Sequence, residues 1–314
     1  MNKITIVGTG SVGATIAYTL TVAGVASEMV MIDINSEKAI GEALDIRQGT
    51  PFCNPCKIYA GTYEDAKDSN IVIIACGIAR KPGQTRLDLA QTNVNILKSV
   101  IPHIVSNAPN ATYIIVSNPV DVLTYAFCKY SGLPEERVIG SGTVLDSARV
   151  RSRIAEYYSL SQHNVHAYVL GEHGDTAFVP WSLANISNVP IEDYAAARKS
   201  SSLGIPPLDK NAVEDYVKTS GASVIQRKGA TFYAVSMSVV HICKCLLGGI
   251  DTALTVSTMT HGEYGIDDVC LSLLCLVGRS GAHTKIMLPL NDQEIKLLQK
   301  SADNLKSVIK SLNI

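Results

Sequence analysis

Three glycines near the amino terminus constrain the fold of this chain more than any other feature. Gly8, Gly10 and Gly13 form a GxGxxG pattern that follows a β-branched run at residues 4–7 and precedes an amphipathic stretch. In a strand-turn-helix unit, one glycine permits the tight turn, a second lets the backbone approach a pyrophosphate, and a third lets helix and strand pack closely. The pattern therefore predicts a dinucleotide site in the first βαβ unit.

The residues around these glycines indicate which dinucleotide to expect. The backbone amides of Ser11 and Val12, at the start of the predicted helix, would face the anionic phosphates. Asp33 ends the second predicted strand, 20 residues after Gly13. A carboxylate there accepts hydrogen bonds from a ribose diol and repels a 2′-phosphate, so the sequence predicts NAD rather than NADP. Three glycines alone could merely form a turn, and it is the strand, the helix and Asp33 in register that favour a nucleotide site.

The first half of the chain alternates short apolar runs with helix-length segments. The runs predicted as strands are residues 4–7, 29–32, 71–75 and 113–116. Continuous apolar strands separated by helices are typical of a parallel sheet covered on both faces, with right-handed crossovers. We therefore predict an α/β fold whose amino-terminal part is a doubly wound Rossmann sheet.

The pattern changes after residue 142. Helices of mixed length then accompany strand-like runs at residues 165–170 and 269–277, and a polar final helix begins near Asp292. With 314 residues, the chain is long enough for two domains that each bury a core. We predict a NAD-binding Rossmann domain at residues 1–142 and an α+β substrate domain at residues 143–314.

The composition argues against two classes of partner. The formal net charge is -1, which leaves no strongly basic surface to attract nucleic acid. No apolar run reaches the roughly 18 residues that a membrane-spanning helix needs. The strand pattern begins by Ile4, which leaves no room for a signal segment before it. We therefore expect a cytoplasmic protein with neither a nucleic acid nor a membrane as partner.

Eight cysteines without regular spacing are typical of unpaired thiols in a reducing compartment. Cys53 and Cys56 do have CxxC spacing, which raises the alternatives of a zinc site or a redox pair. A zinc site would need a second such pair or nearby histidines, and a redox pair would sit at a helix start after a strand. Pro55 favours a turn instead, and we predict no metal.

Four short segments carry residue types suited to chemistry. They are GQTR at residues 83–86, SNPVD at 117–121, LDSAR at 145–149 and GEHGD at 171–175. With these motifs the chain resembles the L-lactate and malate dehydrogenase family, and its bacterial L-lactate branch in particular, from Ile4 to the final helix. The resemblance implies reversible hydride transfer between NADH and pyruvate, giving L-lactate and NAD, as in fermentation after anaerobic glycolysis. It also implies a homo-oligomer, a tetramer or at least a dimer.

The chemistry of keto-acid reduction explains why such residues are needed. Hydride goes to the carbonyl carbon and a proton to its oxygen, so a group that is protonated near neutral pH must reach that oxygen. The resemblance assigns this role to His173, which acts as a base in the reverse direction. It assigns to Asp146 the task of raising the histidine pKa and fixing its tautomer. Taken singly, a histidine is more often structural, and Asp146 with Arg149 at helical spacing is more often a surface ion pair.

Three further residues complete the predicted site by resemblance. Arg149 would grip the substrate carboxylate with a bidentate fork, which fixes a plane as well as supplying charge. Arg86 would lie on a loop that closes over the substrate and brings positive charge to the carbonyl oxygen. Asn118, at a strand end, would hold the same region from the nicotinamide side. By itself, Arg86 would be only a solvated loop residue.

The residues that indicate the substrate disagree with one another. Residues 140–142, Glu172 and the segment 228–231, whose Thr231 would line the far side of the pocket, resemble the lactate branch. Arg80 differs, because lactate dehydrogenases usually carry glutamine at this loop position and malate dehydrogenases carry arginine. An arginine facing the substrate tail would pair with a second carboxylate, as in oxaloacetate, whereas an arginine in solvent would not affect the choice. We favour pyruvate, with a malate or dual-specificity dehydrogenase as the alternative.

Three hypotheses of other kinds stay open. Arg151 and His166 match positions at which bacterial lactate dehydrogenases bind fructose 1,6-bisphosphate between subunits, although both could be ordinary surface residues. The chain could also be a binding protein that keeps the nucleotide fold without turnover or, from the glycines alone, a Rossmann methyltransferase. The intact set of reacting residues favours an enzyme over a binding protein, and a methyltransferase would have no use for the histidine constellation.

Overall fold

The computed structural model describes residues 2–78, 85–198 and 206–314, with the exception of the Arg86 side chain. Arg80, the predicted specificity residue, therefore lies outside the described residues, and so does the side chain of Arg86.

Strands and helices alternate along the first half of the chain, as predicted. The strands there are β1 (Lys3–Val7), β2 (Glu28–Ile32), β3 (Lys57–Ala60), β4 (Ile71–Ile74), β5 (Thr112–Ile115) and β6 (Val138–Gly140). The helices between and after them are α1 (Ser11–Val22), α2 (Ser36–Gln48), α3 (Arg86–Asn107) and α4 (Val120–Ser131).

The second half begins with helices and ends with a long antiparallel hairpin and a helix. Its helices are α5 (Val144–Tyr158), α6 (Ile191–Ala197), α7 (Lys210–Lys228), α8 (Tyr233–Leu247) and α9 (Asp292–Lys310). Its strands are β7 (Val165–His166), β8 (Asn185–Ile186), β9 (Val189–Pro190), β10 (Thr252–His261), β11 (Asp267–Gly278) and β12 (Gly281–Lys285). Among the described residues, no helix is long and apolar enough to cross a membrane.

One large sheet runs through both halves. Its strand order is β3-β2-β1-β4-β5-β6-β10-β11-β12. The first six strands are parallel, and Ile4 of β1 is flanked by Met29 of β2 and Ile71 of β4. The other three strands join antiparallel, with Ser257 of β10 opposite Gly140 of β6. The predicted doubly wound parallel sheet is confirmed, and its strand order reverses between β1 and β4, where such sheets bind ligands at the carboxyl ends of their strands.

Residues 165–170 form less of a strand than predicted. Val165–His166 pairs as β7, in a small sheet with β8 and β9, and Leu170 forms only an isolated bridge with Phe178. Farther along, the Val169 amide donates to Ser147 Oγ at 2.9 Å, and the Thr143 hydroxyl donates to the Val169 carbonyl. Side chains of α5 and its cap thus satisfy the backbone groups that a neighbouring strand would otherwise pair. The other two predictions for this half hold, since residues 269–277 lie within β11 and α9 begins at Asp292.

The eight cysteines are all free thiols. Cys53 and Cys56 lie between α2 and β3, and burial raises the pKa of Cys56 to about 11. That pKa disfavours the thiolate that zinc binding or redox exchange requires. Within the described ranges, no group of three or more His, Cys, Asp or Glu residues could hold a metal ion.

Candidate active site

The glycine turn after β1 leaves room for a ligand at one of its three glycines. Gly8 has a φ of 99°, and a β-carbon on it would lie 2.5 Å from a backbone nitrogen in the loop after β4. A β-carbon on Gly13 would lie 1.8 Å from the Gly8 carbonyl oxygen, so α1 can pack on the turn only without it. By contrast, no described atom lies within 4 Å of a β-carbon built on Gly10, which caps α1 without a side-chain hydrogen bond. The backbone of Gly10 and the amides of Ser11 and Val12 are therefore accessible to a pyrophosphate.

Asp33 lies directly beside this turn. Its Oδ2 accepts hydrogen bonds from the Thr9 amide at 2.6 Å and the Thr9 hydroxyl at 3.1 Å, and its Oδ1 accepts one from the Asn35 amide at 2.9 Å. Burial alone would raise the pKa of Asp33, but these hydrogen bonds lower it below its ordinary value. The carboxylate is thus ionised at neutral pH and is held where a ribose diol can donate to it.

A cleft of about 390 Å³ lies at the carboxyl ends of β5 and β6, between α5, α7 and α8. It brings together residues predicted from distant parts of the sequence: Val12, Asn118, Asp146, Arg149, His173 and Thr231. Because Val12 belongs to the first turn of α1, the cleft adjoins the glycine turn on one side.

His173 and Asp146 form a hydrogen-bonded pair in this cleft. His173 Nδ1 lies 2.5 Å from Asp146 Oδ2. Protein surrounds the imidazole on most sides, yet 28% of the His173 side chain stays exposed, whereas the Asp146 side chain is 7% exposed. Because Nδ1 faces the carboxylate, Nε2 is the ring nitrogen that a ligand can reach.

The two residues shift each other's pKa values apart. Burial alone would lower the pKa of His173, but the charge of Asp146 and their hydrogen bond raise it above its ordinary value. Burial alone would raise the pKa of Asp146, but His173 and Arg149 lower it. The pair therefore favours a protonated imidazole beside an ionised carboxylate, which is a proton donor suited to neutral pH.

Arg149 binds the other oxygen of the same carboxylate. Its Nη1 donates to Asp146 Oδ1 at 2.8 Å, one turn along α5. Only 18% of the Arg149 side chain is exposed, so the two residues do not form the surface ion pair considered from the sequence. The other N–H groups of the guanidinium remain as possible donors to a carboxylate ligand in the cleft.

Asn118 is held by a residue that the sequence analysis missed. Asn93, buried on α3, donates from Nδ2 to the Asn118 carbonyl oxygen at 2.7 Å, and its Oδ1 accepts from the Ile78 amide at 2.9 Å. One side chain thus ties the loop after β4 to the loop after β5.

Helix α7 supplies another part of the site that the sequence analysis missed. Val217, Gly221 and Ile225 line the cleft at intervals of four residues, which places them on one face of the helix. The spacing was visible in the sequence, but it does not tell which surface the face contacts.

Arg151 and His166 do not line this cleft. Arg151 lies on α5, donates from Nε to the Ser147 carbonyl at 3.2 Å, and has a pKa lowered by burial. His166 is exposed on β7, which packs against α5. The two residues therefore occupy neighbouring elements on another part of the surface.

A larger cleft, of about 980 Å³, lies at the opposite edge of the sheet. Segments that precede β1, β4, β5 and β6 line it, and none of the predicted site residues that the structure describes does. The smaller cleft is the better candidate for the active site. It contains His173, whose pKa is raised, and Arg149 paired with Asp146, and it adjoins the nucleotide turn.

Comparison with known protein families covers both halves of the chain. Residues 2–140 match the NAD binding domain of lactate/malate dehydrogenases, and residues 143–313 match the alpha/beta C-terminal domain of the same enzymes. The chain belongs to the lactate/malate dehydrogenase family. Its cofactor is NAD, and the open backbone at Gly10 and the ionised Asp33 fit the pyrophosphate and the ribose of that cofactor.

Individual members of the lactate/malate dehydrogenase family match over the whole chain. An L-lactate dehydrogenase of Acetivibrio thermocellus is 44% identical over 314 residues, which are 100% of this chain and 98% of the relative. Among solved structures, a lactate dehydrogenase from a Medee basin deep-sea metagenome library superposes with a TM-score of 0.94 at 38% identity, covering 100% and 99% of the two chains. The minor L-lactate dehydrogenase of Enterococcus mundtii has a TM-score of 0.93 at 38% identity, with the same coverage.

Proposed function

We propose that the chain is an NAD-dependent L-lactate dehydrogenase, which reduces pyruvate to L-lactate and catalyses the reverse reaction. The observation that carries this proposal is the shared carboxylate of Asp146, which binds both His173 and Arg149 in one cleft beside the nucleotide turn. A 2-keto acid needs a proton donor for its carbonyl and a cation for its carboxylate, and the cleft offers both. The relatives with 44% identity, named as L-lactate dehydrogenases, support pyruvate as the substrate.

His173 moves the proton in this proposal. When bound, NADH supplies a hydride to the carbonyl carbon. His173 donates a proton from Nε2 to the carbonyl oxygen, while Asp146 holds the ring through Nδ1 and stabilises the imidazolium before transfer. In lactate oxidation, neutral His173 takes the proton of the substrate hydroxyl.

The remaining residues bind and orient the substrate. Arg149 would hold its carboxylate with two N–H groups of the guanidinium, and Thr231 lies along the same cleft. Asn118 would contact the carbonyl region from the cofactor side. Arg86 is the first residue of α3, and the resemblance to the family assigns it the role of bringing positive charge to the carbonyl oxygen.

A panel of 2-keto acids tests the activity directly. We expect NADH oxidation, followed at the nicotinamide absorbance, with the highest kcat/KM for pyruvate. A preference for oxaloacetate would favour the malate alternative. Bound NADH without oxidation by any of the acids would instead favour a binding protein that does not turn over.

Arg80 leads to a prediction about the second substrate. If this arginine faces the substrate tail, the enzyme reduces oxaloacetate measurably, and Arg80→Gln lowers kcat/KM for oxaloacetate about 10- to 100-fold, the value of one charge-assisted hydrogen bond. The control is Lys81→Gln, which removes the neighbouring positive charge. A pyruvate preference of many thousandfold in the unaltered enzyme would show that Arg80 does not contact the substrate.

We also propose that the chain assembles as a homotetramer, or at least as a homodimer. Among the helices that expose large apolar side chains are α1 with Tyr18 and Val22, α2 with Ile40 and Leu44, and α8 with Tyr233 and Met237. Helix α1 packs against both α2 and α8, so these side chains lie on neighbouring elements. Exposed apolar surface of this kind supports an interface between subunits.

Regulation by fructose 1,6-bisphosphate is a further part of the proposal. Arg151 and His166 would receive a phosphate group where two subunits meet. We expect the sugar bisphosphate to lower the half-saturating pyruvate concentration several-fold and His166→Gln to remove this effect, with the assembly state followed by sedimentation. His163→Gln, an exposed histidine nearby, is the control. The idea fails if the pyruvate saturation curve does not move.

A cytoplasmic location and a role in fermentation complete the proposal. Eight free thiols support a reducing compartment. Reduction of pyruvate there would regenerate NAD for anaerobic glycolysis.

A further inference from the structure

Asp121 is a buried carboxyl group that the mechanism above does not use. It lies in the first turn of α4, 2% exposed, and its Oδ2 accepts a hydrogen bond of 2.7 Å from the backbone amide of His173. The two residues are 52 positions apart, so the contact joins α4 to the loop that carries the proton donor.

The surroundings of Asp121 do not favour its charge. Burial raises its pKa to about 6, against the opposing effects of Ser257, the His173 amide and the charge of His173. Glu172 on the loop adds repulsion, and the charge of Asp121 is one of the causes that raise the pKa of the Cys270 thiol on β11. Among the described residues, Oδ1 has no hydrogen bond of normal geometry, although Ser257 is close enough to lower the pKa.

Other anchors of the same loop carry no charge. Ser301 of α9 accepts from the Glu172 amide at 2.8 Å, and Ser272 of β11 exchanges two backbone hydrogen bonds with Gly171. A neutral acceptor would thus be enough to hold the His173 amide as well. Burying a carboxylate there is energetically unfavourable unless an opposite charge compensates for it. That opposite charge is the protonated imidazole of His173, whose pKa the charge of Asp121 raises.

We propose that Asp121 is a positioning residue for proton transfer, a second carboxylate that fixes the backbone of His173 and stabilises its imidazolium together with Asp146. The inference rests on the proposed function, because it concerns the proton donor of that reaction. Asp146 and Arg149 act on the ring from α5, and Asp121 acts from α4.

The test is Asp121→Asn, which keeps an acceptor for the His173 amide and removes the charge. We expect the loss of charge to lower the pKa of His173. Pyruvate reduction needs the protonated ring, so its alkaline limit moves to lower pH by about one unit, and kcat/KM above that limit falls about tenfold. Lactate oxidation needs the neutral ring, so its acid limit moves in the same direction. A loss of loop rigidity alone would lower both rates without moving either limit.

Two control variants separate charge from structure. Ser301→Ala loosens the same loop without removing a charge, and we expect its pH limits to stay in place. Asp268→Asn removes an exposed carboxylate that pairs with Lys129 of α4, and we expect neither the rates nor the limits to change. Asp121→Ser repeats the test with a smaller neutral acceptor if the asparagine variant does not fold.

Stability gives a second readout. Because the folded-state pKa of Asp121 is raised, its contribution to stability is full below the unfolded-state pKa and is lost as the pH rises through about 6. The unfolding temperature of Asp121→Asn relative to the unaltered protein should therefore increase from about pH 5 to about pH 8.

Unmoved pH limits in Asp121→Asn and Asp121→Ser would overturn the inference. Full activity in His173→Asn would instead overturn the proposed function, so the two failures are distinguishable.

Discussion

Asp146→Asn is expected to lower kcat for pyruvate reduction by about 10³- to 10⁴-fold. The carboxylate binds His173 Nδ1 through one oxygen and Arg149 Nη1 through the other. An amide has no charge to stabilise the imidazolium, and its NH₂ group can turn towards Nδ1, which opposes the doubly protonated ring. The chemical step therefore loses its proton donor, although the cleft keeps its shape.

Asp146→Asn should also change the pH dependence of pyruvate reduction. Asp146 raises the pKa of His173, so its replacement lowers that pKa. The protonated ring is present below the pKa and is lost as the pH rises through it. The alkaline limit of pyruvate reduction should therefore move to lower pH, measured as kcat and kcat/KM across the pH range by NADH oxidation.

Glu156→Gln on the same helix is the matched control. Glu156 also pairs with an arginine at a spacing of three residues, Arg153, but the pair is exposed. An exposed pair of this kind contributes little, so we expect unchanged kinetics. An Asp146→Asn enzyme within tenfold of the unaltered kcat would contradict the role given to this carboxylate.

Arg149→Lys is expected to lower kcat/KM for pyruvate by about 10²- to 10³-fold, mainly through a higher KM. Lysine keeps the positive charge but presents no planar fork, so it loses the parallel pair of hydrogen bonds to the substrate carboxylate. The ammonium would also be drawn towards Asp146, which accepts the present hydrogen bond from Arg149. Initial rates over a wide range of pyruvate concentrations separate KM from kcat.

The control for this variant is Arg153→Lys, one turn farther along α5. Arg153 is 42% exposed and pairs with Glu156, so its replacement should not change the affinity for pyruvate. An unchanged KM in Arg149→Lys would show that the substrate carboxylate binds elsewhere.

Much of the fold was predictable because the signals are local. A glycine turn between a buried strand and a helix defines β1 and α1 within a short stretch of sequence, and Asp33 follows at the end of β2. Strand β10 is one of those that the sequence analysis missed. Four polar residues within it are buried: Thr255, Ser257, Thr258 and Thr260. The Thr255 hydroxyl, for example, shares a hydrogen bond with that of Ser147, 108 positions away, and no local pattern reveals such a partner.

Some residues of the candidate site could be predicted from local motifs, and others act through contacts between distant parts of the chain. His173, Asp146 and Arg149 could be predicted from their motifs, and the structure brings them together. Asn93 and Asp121 could not be predicted to act on the site, because their hydrogen bonds reach across 25 and 52 positions of the chain. Their roles depend on which helix ends meet at the carboxyl edge of the sheet, and that is a tertiary property.

The sharing of one carboxylate by Arg149 and His173 couples two binding events. The Arg149 guanidinium lowers the pKa of His173. In the proposed function, a substrate carboxylate would neutralise that guanidinium, and the proton affinity of the imidazole would then rise. By reciprocity, protonated enzyme binds the keto acid more tightly than neutral enzyme does. The helical turn from Asp146 to Arg149 would thus link uptake of the substrate to retention of the proton that the proposed reaction consumes.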